Sequence, residues 1–354
     1  MKPFISVIIP CRDEADFLAR SLDSILQNGY PADRLEVIVA DGMSTDGTRE
    51  QLDAYSAGDP RVVRIDNPAR VTPVALNLAI AASRGEIIVR VDAHSALSPG
   101  YLSKAVDYLQ SSGAWNVGGS MITLAEGDGP FAEPIRLVLS HRFGVGNSHF
   151  RTGATEPRWV DTVFGGCWPR EVFARVGGFN EQLVRSQDME FNRRLGRAGG
   201  KILLAPDLES RYWARANLSY FARHNWLNGM WAVLPFAYSE GAPVSLRHLV
   251  PLAFVASLAA SLAASAVSHH LAVLPLLVAG PYAAVTIAVS CALALRTGSL
   301  RNAFLLPVAF ASLHWVYGAG SLWGAARLAG ILAGRTWRGL ERKALLAQEH
   351  KETL

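Results

Sequence analysis

Short apolar runs alternate with amphipathic stretches over roughly the first 245 residues of the chain. β-Branched and other apolar residues dominate four of these runs, which predict buried strands: FISVIIP, LEVIVA, RVVRID and EIIVRV. Between them, apolar positions recur at helical spacing, as in residues 14–27 and 72–83, and a further helix is expected from about Gly47. This alternation predicts an α/β domain with a mainly parallel sheet and helices on both faces.

The pattern is less regular between residues 98 and 200. Ser98 followed by Pro99 predicts the N-cap and the first position of a helix. SGAWNVGGSMITL predicts a strand with a close-packed glycine pair, and AEGDGPFAEP predicts a loop. Residues 143–159, rich in Gly, Ser, Thr and Asn, predict a segment that is mobile until a ligand binds. Strand, turn and helix then return, and another helix is expected to end at Gly199 before a last strand.

From Leu249 onward the hydrophobic pattern changes, because long stretches carry no charge. Leu249–Val267 and Leu271–Leu295 are each long enough to cross a bilayer core, which takes ~20 apolar residues. A third apolar stretch, Ala303–Ala333, is interrupted by His314 and three glycines, which allow a re-entrant or bent helix. A buried helical bundle in a soluble protein is the alternative, but no polar residues alternate through the first two stretches.

An aromatic-rich segment, residues 217–245, precedes the first apolar stretch and predicts a helix lying in the lipid headgroup region. An ordinary amphipathic core helix is the alternative. The chain therefore divides into four predicted parts. They are a catalytic domain (1–216), the interfacial segment (217–245), a membrane domain of two spans plus the third stretch (246–334), and a basic tail (335–354).

Basic residues flank the apolar stretches and predict their orientation. Arg247, Arg296 and Arg301 lie next to the first two spans, and such residues prefer the cytoplasmic side. The apolar run near the N-terminus is too short for a signal peptide. We therefore expect a multi-pass protein of the cytoplasmic (inner) membrane whose catalytic domain faces the cytoplasm.

Composition and charge exclude some classes of function. The formal net charge is only +4, and the basic residues form no stripe of the kind that binds nucleic acid, so no nucleic-acid partner is expected. The three cysteines are few, odd in number and widely spaced, which indicates neither a disulfide framework nor a zinc site. Their use suits a reducing cytoplasm.

Polar side chains follow three of the predicted strands at the point where each strand ends. CRDE follows the first strand, DGMSTDGT the second, and Asp92-Ala93-His94 the fourth. Ligands of open α/β sheets bind beyond the carboxyl ends of the strands, so these three loops predict a nucleotide site. The alternative is that the acids and glycines only make turns and cap helices.

The spacing of Asp92 and His94 predicts a metal site at the end of the fourth strand. A carboxylate and an imidazole two residues apart can hold a divalent cation against a diphosphate. Imidazole suits Mn²⁺ and other transition ions better than Mg²⁺, so Mn²⁺ is the expected ion, with Mg²⁺ as the second choice. The alternative for His94 is a local hydrogen bond.

Several motifs in order resemble those of family 2 inverting glycosyltransferases with the GT-A fold: SVIIPCRDE, VIVADGMSTDGT, VRVDAH, VGGFNEQL and SQDMEFNRRL. The likeness covers roughly residues 3–235 and is nearest to the succinoglycan-type bacterial exopolysaccharide glucosyltransferases, which share ADGMSTDGT, VDAH, FGVGN and VDTVFGG. It implies a mixed, Rossmann-like GT-A sheet flanked by helices, followed by a hydrophobic C-terminus.

The resemblance also implies roles for individual residues. Pro10 and Glu14 would line the nucleotide pocket, and Asp41 would lie by the base and ribose, although Gly42 stands where many relatives have a second acid. Asp92 and His94 would take the family's metal position.

Asp188 would be the general base of an inverting reaction, although Gln187 replaces the usual preceding Glu. Without the likeness, Asp188 would be an acid favoured at the start of a helix. Candidates for contact with a diphosphate of donor or acceptor are four basic residues, Arg211, Arg215, Arg223 and His224, with ordinary surface charge as the alternative.

The sequence thus predicts a membrane-anchored, metal-dependent glycosyltransferase. It would move a sugar, with glucose favoured, from a UDP-sugar to a polyprenyl-diphosphate-linked saccharide during exopolysaccharide assembly, with other assembly proteins as candidate partners. RHNWLNGMW departs from the motif of processive relatives, which predicts one sugar per encounter. The alternatives are a polyprenyl-phosphate glycosyltransferase and a non-catalytic membrane scaffold with the same fold.

Overall fold

The computed structural model describes residues 2–333. They form two compact units, the first from residues 2–122 and Gly153–Trp213, the second from Thr123–Thr152 and residues 214–333. The predicted four-part division of the chain remains a prediction. The predicted basic tail, 335–354, lies outside the described residues.

Nine strands form one sheet, and β6 and β9 continue past the first unit into the second. Their bounds are β1 Ile5–Cys11, β2 Leu35–Asp41, β3 Val62–Asp66, β4 Ile87–Arg90, β5 Ser95–Leu97, β6 Asn116–Glu126, β7 Arg158–Val160, β8 Phe164–Pro169 and β9 Ile202–Arg215. The order across the sheet is β3-β2-β1-β4-β8-β6-β9-β5, with β7 also paired to β9. The first four strands are parallel, and β8 pairs antiparallel with β4. A mixed sheet flanked by helices, as the resemblance implies, is therefore confirmed, whereas a mainly parallel sheet describes only half of it.

Helices flank the sheet of the first unit, as the alternating pattern predicts. They are α1 Ala15–Leu26, α2 Thr48–Gly58, α3 Thr72–Ala82, α4 Tyr101–Ser112, α8 Arg170–Val176 and α9 Gln187–Arg197. The apolar face of α1 puts Leu18, Leu22 and Ile25 into the core with no exposed surface. Burial of each such side chain contributes about 1.5–3 kcal/mol. β1 and β2 are buried almost throughout their lengths.

Three details differ from the sequence predictions. Ser98 is not an N-cap, because α4 begins at Tyr101 after Gly100, whose φ of 76° places it in the left-handed region. The predicted loop AEGDGPFAEP runs into a helix that begins at Ala132. Residues 143–159 contain short helices and the start of β7, which the sequence patterns did not predict; the mobility of this segment remains a prediction.

The glycine pair predicted in β6 is confirmed as a close contact. A Cβ at Gly118 would lie 2.6 Å from the Cβ of Val163. A Cβ on Gly119 would collide with the backbone oxygen of Leu208. Side chains at these positions would force β6 away from its neighbours, so glycine is required there.

The second unit is helical. Its helices are α5 Ala132–Ser140, α6 Arg142–Val145, α7 His149–Thr152, α10 Leu218–Val233, α11 Val250–Val267, α12 Leu274–Thr297 and α13 Leu300–Leu332. Three helical stretches are long and apolar enough to cross a membrane: Leu246–Val267, His269–Thr297 and Leu300–Leu332. The first two place only 11% and 6% of their most apolar windows inside the protein, as expected of surfaces that face lipid.

The third apolar stretch is one continuous helix of 33 residues, about 50 Å long. Its glycines are contact points, since a Cβ at Gly324 would lie 2.6 Å from the backbone oxygen of Met230 on α10. Ser321 Oγ also donates a hydrogen bond of 2.9 Å to the carbonyl of Gly229. The C-terminal half of α10 is therefore a core helix of this unit, which is the alternative that the sequence left open. The interfacial role of its N-terminal half remains a prediction.

Candidate functional site

The loops after β1 and β2 are tied to each other at the carboxyl edge of the sheet. The amide of Asp13 donates to Ser44 Oγ at 2.8 Å, and the amide of Thr45 donates to Asp13 Oδ1 at 2.9 Å. Asp13 and Met43 both have positive φ, 50° and 61°, in a backbone region that costs energy for residues other than glycine. The cross-links keep this strained loop pair in place, which is typical of a preformed binding rim.

Asp41, the last residue of β2, is hydrogen-bonded to the loop that follows it. Its side chain has no exposed surface and accepts hydrogen bonds of 2.5 Å from both Ser44 Oγ and Arg49 Nη1. Arg49 also reaches Asp66 at 3.0 Å, so one guanidinium joins the ends of β2 and β3. The described contacts give Asp41 a structural task. Its predicted place beside the base and ribose remains a prediction.

Gly42 stands where many similar enzymes have a second acid, and Arg12 occupies the space beside it. A Cβ at Gly42 would lie 3.0 Å from both Cβ and Cδ of Arg12. An acid at position 42 would therefore require Arg12 to move. Arg12 also pairs with Asp13 at 3.3 Å, while burial and the nearby charge of Arg70 lower its pKa.

Arg90 is a site residue that the sequence predictions missed. Its Nε and Nη2 lie 3.0 and 2.9 Å from Asp92 Oδ1. Burial by itself would lower the pKa of Arg90, but the charges of Asp92 and Asp188 outweigh burial and raise it. Likewise, burial would raise the pKa of Asp92, but Arg90 and His94 lower it. The Arg90 guanidinium, whose side chain is 10% exposed, thus pairs directly with Asp92, and the charge of Asp188 helps to raise its pKa.

A signal for Arg90 exists in the sequence. It is the charged residue within the otherwise apolar run IIVRV, residues 87–91, and it lies two residues before Asp92. A charge in a buried strand requires a partner, and Asp92 supplies it.

Glu14 and His94 are in contact, although they are 80 positions apart. His94 Nδ1 lies 2.8 Å from Glu14 Oε1. The edge of the Tyr212 ring borders the same imidazole, with ring centroids 5.3 Å apart. The sequence assigned Glu14 to the nucleotide and His94 to the metal, and the structure makes them one pair.

Asp188 lies in the first turn of α9, where the positive end of the helix dipole favours a carboxylate. Its Oδ1 accepts a hydrogen bond of 2.9 Å from the amide of Met189. Ser186, just before the helix, has a φ of 63° and sets the angle at which the helix starts. Gln187 is buried, where a charged Glu would require a partner.

The four basic candidates divide between the two units. Arg211 is exposed on β9 in the first unit. Arg215 and His224 belong to the second unit, and both contact the Tyr220 ring. The Arg215 guanidinium lies 4.8 Å from the centre of that ring, and the ring of His224 stacks on it at 6.0 Å. Arg223 is exposed on α10, the helix that also carries Tyr220 and His224.

The predicted metal site would offer two protein ligands, Asp92 and His94. Within residues 2–333, no group of three or more His, Cys, Asp or Glu side chains is arranged to hold a metal ion. Two ligands fit an ion whose remaining positions are filled by the oxygens of a diphosphate and water. Glu14 Oε2, beside His94, is buried and has no hydrogen-bond partner among the described residues. A buried oxygen of this kind is costly unless a cation or donor comes near it, so the residues present fit a cation.

Comparisons with known proteins agree with this architecture. The family described as "Glycosyl transferase family 2" matches residues 6–176. The succinoglycan biosynthesis protein ExoA of Rhizobium meliloti is 30% identical over 318 residues, which cover 89% of this chain and 92% of that protein.

Two further proteins widen the comparison. A Methanococcus voltae enzyme is 25% identical over 62% of this chain and 70% of its own length; it is named a dolichyl N-acetyl-α-D-glucosaminyl phosphate 3-β-D-2,3-diacetamido-2,3-dideoxy-β-D-glucuronosyltransferase. The solved structure of the mannosyltransferase PcManGT from Pyrobaculum calidifontis, in complex with GDP-Man and Mn²⁺, is 22% identical. The likeness covers 91% of this chain and 88% of that one, with a TM-score of 0.57, and it shows the fold alone.

Proposed function

Since the chain belongs to glycosyltransferase family 2, we propose that it is an inverting, metal-dependent enzyme that adds one sugar to a lipid-linked saccharide. The proposed donor is a UDP-sugar, with glucose as the sugar. The proposed acceptor is a saccharide on polyprenyl diphosphate, used in exopolysaccharide assembly. One observation carries the proposal: at the carboxyl end of β4, Arg90 Nε and Nη2 hold Asp92 Oδ1 at 3.0 and 2.9 Å, and the charge of Asp188, the candidate base, also raises the pKa of Arg90.

The residues have distinct tasks in this reaction. Asp188 accepts the proton of the acceptor hydroxyl as that oxygen attacks the anomeric carbon from the face opposite the nucleotide. A single carboxylate base without a carboxylate nucleophile gives inversion. Asp92 and His94 would hold the divalent ion, which supplies positive charge to the departing diphosphate. Arg90 keeps Asp92 ionised and in place. Pro10 and Glu14 line the proposed nucleotide pocket.

The acceptor proposal rests on the second unit and on the comparisons. Three helices long and apolar enough to cross a membrane support a location at which a lipid-linked substrate would be found. The names of two relatives refer to succinoglycan biosynthesis and to a sugar on a dolichyl phosphate. Arg215, Arg223 and His224 precede the first span and would meet the acceptor's phosphates. We propose that the spans lie in the inner membrane with the catalytic residues on the cytoplasmic side, in accordance with the flanking arginines.

The test is transfer by membranes that contain the full-length protein. Labelled UDP-glucose, UDP-galactose, UDP-N-acetylglucosamine and GDP-mannose are each supplied with polyprenyl phosphate or with polyprenyl diphosphate carrying a sugar. We expect label from UDP-glucose on the sugar-bearing lipid only, with inverted anomeric configuration by NMR. The matched control is Asp188→Asn.

Each other outcome would contradict a different part of the proposal. Label on bare polyprenyl phosphate would show an enzyme that charges the lipid itself. Label from another nucleotide sugar would change the donor. No label from any pair, with wild type and Asp188→Asn alike, would favour a scaffold without turnover.

A further inference from the structure

The Glu14–His94 pair has a use beyond joining two loops. Glu14 is the N-cap residue of α1, yet its side chain accepts no hydrogen bond from that helix. Its backbone is fixed instead, since the amide donates to Thr48 Oγ1 at 2.9 Å and the carbonyl accepts from Leu18 at 2.9 Å. The side chain is therefore held in one direction, and Oε1 meets His94 Nδ1 at 2.8 Å.

This contact determines which nitrogen of His94 carries a proton. An ionised carboxylate can only accept a hydrogen bond, so the proton of the neutral imidazole is on Nδ1. Any metal bound by His94 is then bound through Nε2. Histidine ligands of protein metal sites commonly donate their other nitrogen to a carboxylate, which fixes the ring and increases its basicity.

We propose that Glu14 is a positioning residue for a metal-ligating His94, so that Glu14, His94 and a divalent cation form a carboxylate–imidazole–metal chain. The inference rests on the proposed function, because it takes His94 as a ligand of the donor's metal ion. The buried Oε2 of Glu14, which has no hydrogen-bond partner among the described residues, adds negative charge close to the ion. The Tyr212 ring also packs against the imidazole, with ring centroids 5.3 Å apart.

Two variants isolate the role of Glu14. Glu14→Gln keeps the shape but removes the charge, and its amide can also donate to Nδ1, which would favour the wrong tautomer. Glu14→Asp keeps the charge but is one methylene too short to reach His94. The control is Asp16→Asn, an exposed acid in the first turn of the same helix. It removes the same charge at a position two residues away.

The measurement is Mn²⁺ binding by purified full-length protein in detergent, in the presence of UDP, followed by the EPR signal of free Mn²⁺. Loss of a carboxylate behind a ligating histidine typically weakens metal binding by about 10–100-fold. We expect a dissociation constant at least tenfold higher for Glu14→Gln and Glu14→Asp, and an unchanged one for Asp16→Asn. Electron spin-echo modulation from a directly bound imidazole nitrogen should be present in the wild type and absent in His94→Ala.

Three results separate the possible failures. If wild type binds no Mn²⁺ with UDP, the metal-dependent function is wrong and this inference falls with it. If Mn²⁺ binds but shows no imidazole nitrogen, the donor's ion remains and the role of His94, with that of Glu14, is overturned. If the nitrogen is present and both Glu14 variants bind Mn²⁺ as tightly as Asp16→Asn, Glu14 does not position the ligand. If Glu14→Gln fails to fold, Glu14→Asp decides the question.

Discussion

The two edges of the parallel strands differ in how their polar groups are satisfied. At the amino edge, Glu36 accepts hydrogen bonds from Ser6 Oγ at 2.6 Å and from the amide and Nε of Arg84 at 2.6 and 2.9 Å. Ser6 Oγ in turn accepts from the amide of Gly85 at 2.7 Å. At the carboxyl edge, Asp92 pairs with Arg90 at 2.9 Å, and Glu14 Oε2 is buried without a hydrogen-bond partner among the described residues. A closed network stabilises the fold, whereas an incompletely satisfied one is suited to a ligand.

Asp41 is an exception to this difference. It lies at the carboxyl edge, but its buried carboxylate is hydrogen-bonded by neighbouring side chains, as that of Glu36 is. Its side chain has no exposed surface, whereas that of Asp92 is 19% exposed. An acid at a strand end is therefore not by itself a sign of catalysis. The decisive property is whether neighbouring groups already satisfy it.

The largest effect is expected from Asp188→Asn. General base catalysis contributes about 10²–10⁴-fold to rate, and the amide cannot take the acceptor's proton. Transfer should fall by that factor while UDP affinity stays near that of the wild type, because the base acts on the acceptor. Initial rates and UDP titrations on the same preparation check both. An equal loss of UDP affinity would remove Asp188 from the role of base.

Arg90→Lys should have the next largest effect. Lysine keeps the positive charge but cannot place two nitrogens on Asp92 Oδ1, and a hydrogen bond between charged groups contributes ~1.5–3 kcal/mol. We expect transfer to fall about ten- to hundredfold, with a smaller change in thermal stability. Arg84→Lys, at the amino edge, is the matched control and should retain activity. A rate equal to wild type for Arg90→Lys would show that charge alone is sufficient.

Asp41→Asn should destabilise the protein rather than impair chemistry. The amide can satisfy Ser44 or Arg49 but not both as the carboxylate does, so the free energy of unfolding should fall by about 2 kcal/mol. Thermal unfolding measures the loss, and UDP titration of the folded variant tests its specificity. A drop in UDP affinity of more than tenfold would instead support the predicted position of Asp41 beside the base and ribose.

The smallest effect concerns Glu36 and pH. Burial would raise the pKa of Glu36, but hydrogen bonds from Ser6 and Arg84 outweigh burial and lower it. A lowered pKa in the folded state contributes stability above the unfolded value of about 4.3, and that stability is lost as pH falls through the folded value. Glu36→Gln should therefore be about 1 kcal/mol less stable than wild type at pH 7. Below about pH 4 the difference should shrink. The measurement is the unfolding temperature of wild type and Glu36→Gln from neutral pH to below the pKa of the carboxyl. A difference in stability between the two proteins that does not change with pH would contradict this prediction.

Local pattern was sufficient to predict most elements of the fold. Strands β1 to β4 and helices α1 to α3 agree with the predictions to within a few residues, because an alternation of buried strands and amphipathic helices leaves few other folds. The first two long apolar helices follow from length and lack of charge, whereas the pattern allowed the third stretch to be re-entrant or bent. The start of α4 was missed because Gly100 adopts positive φ, a choice that the Ser98-Pro99 signal does not encode.

The arrangement of the site depended on tertiary structure. Sequence order predicted that Pro10, Glu14, Asp41, Asp92 and His94 come from strand ends, and parallel pairing explains why these ends share one edge. It could not predict that Glu14 meets His94, since that contact joins residues 80 positions apart through side-chain directions set by the whole sheet. Nor could it show that the Asp41 side chain is fully buried and paired with Arg49, whereas the Asp92 side chain is partly exposed and paired with Arg90. The sequence determines the type and order of the residues. Whether a polar side chain has hydrogen-bond or ion-pair partners depends on residues that only folding brings close to it.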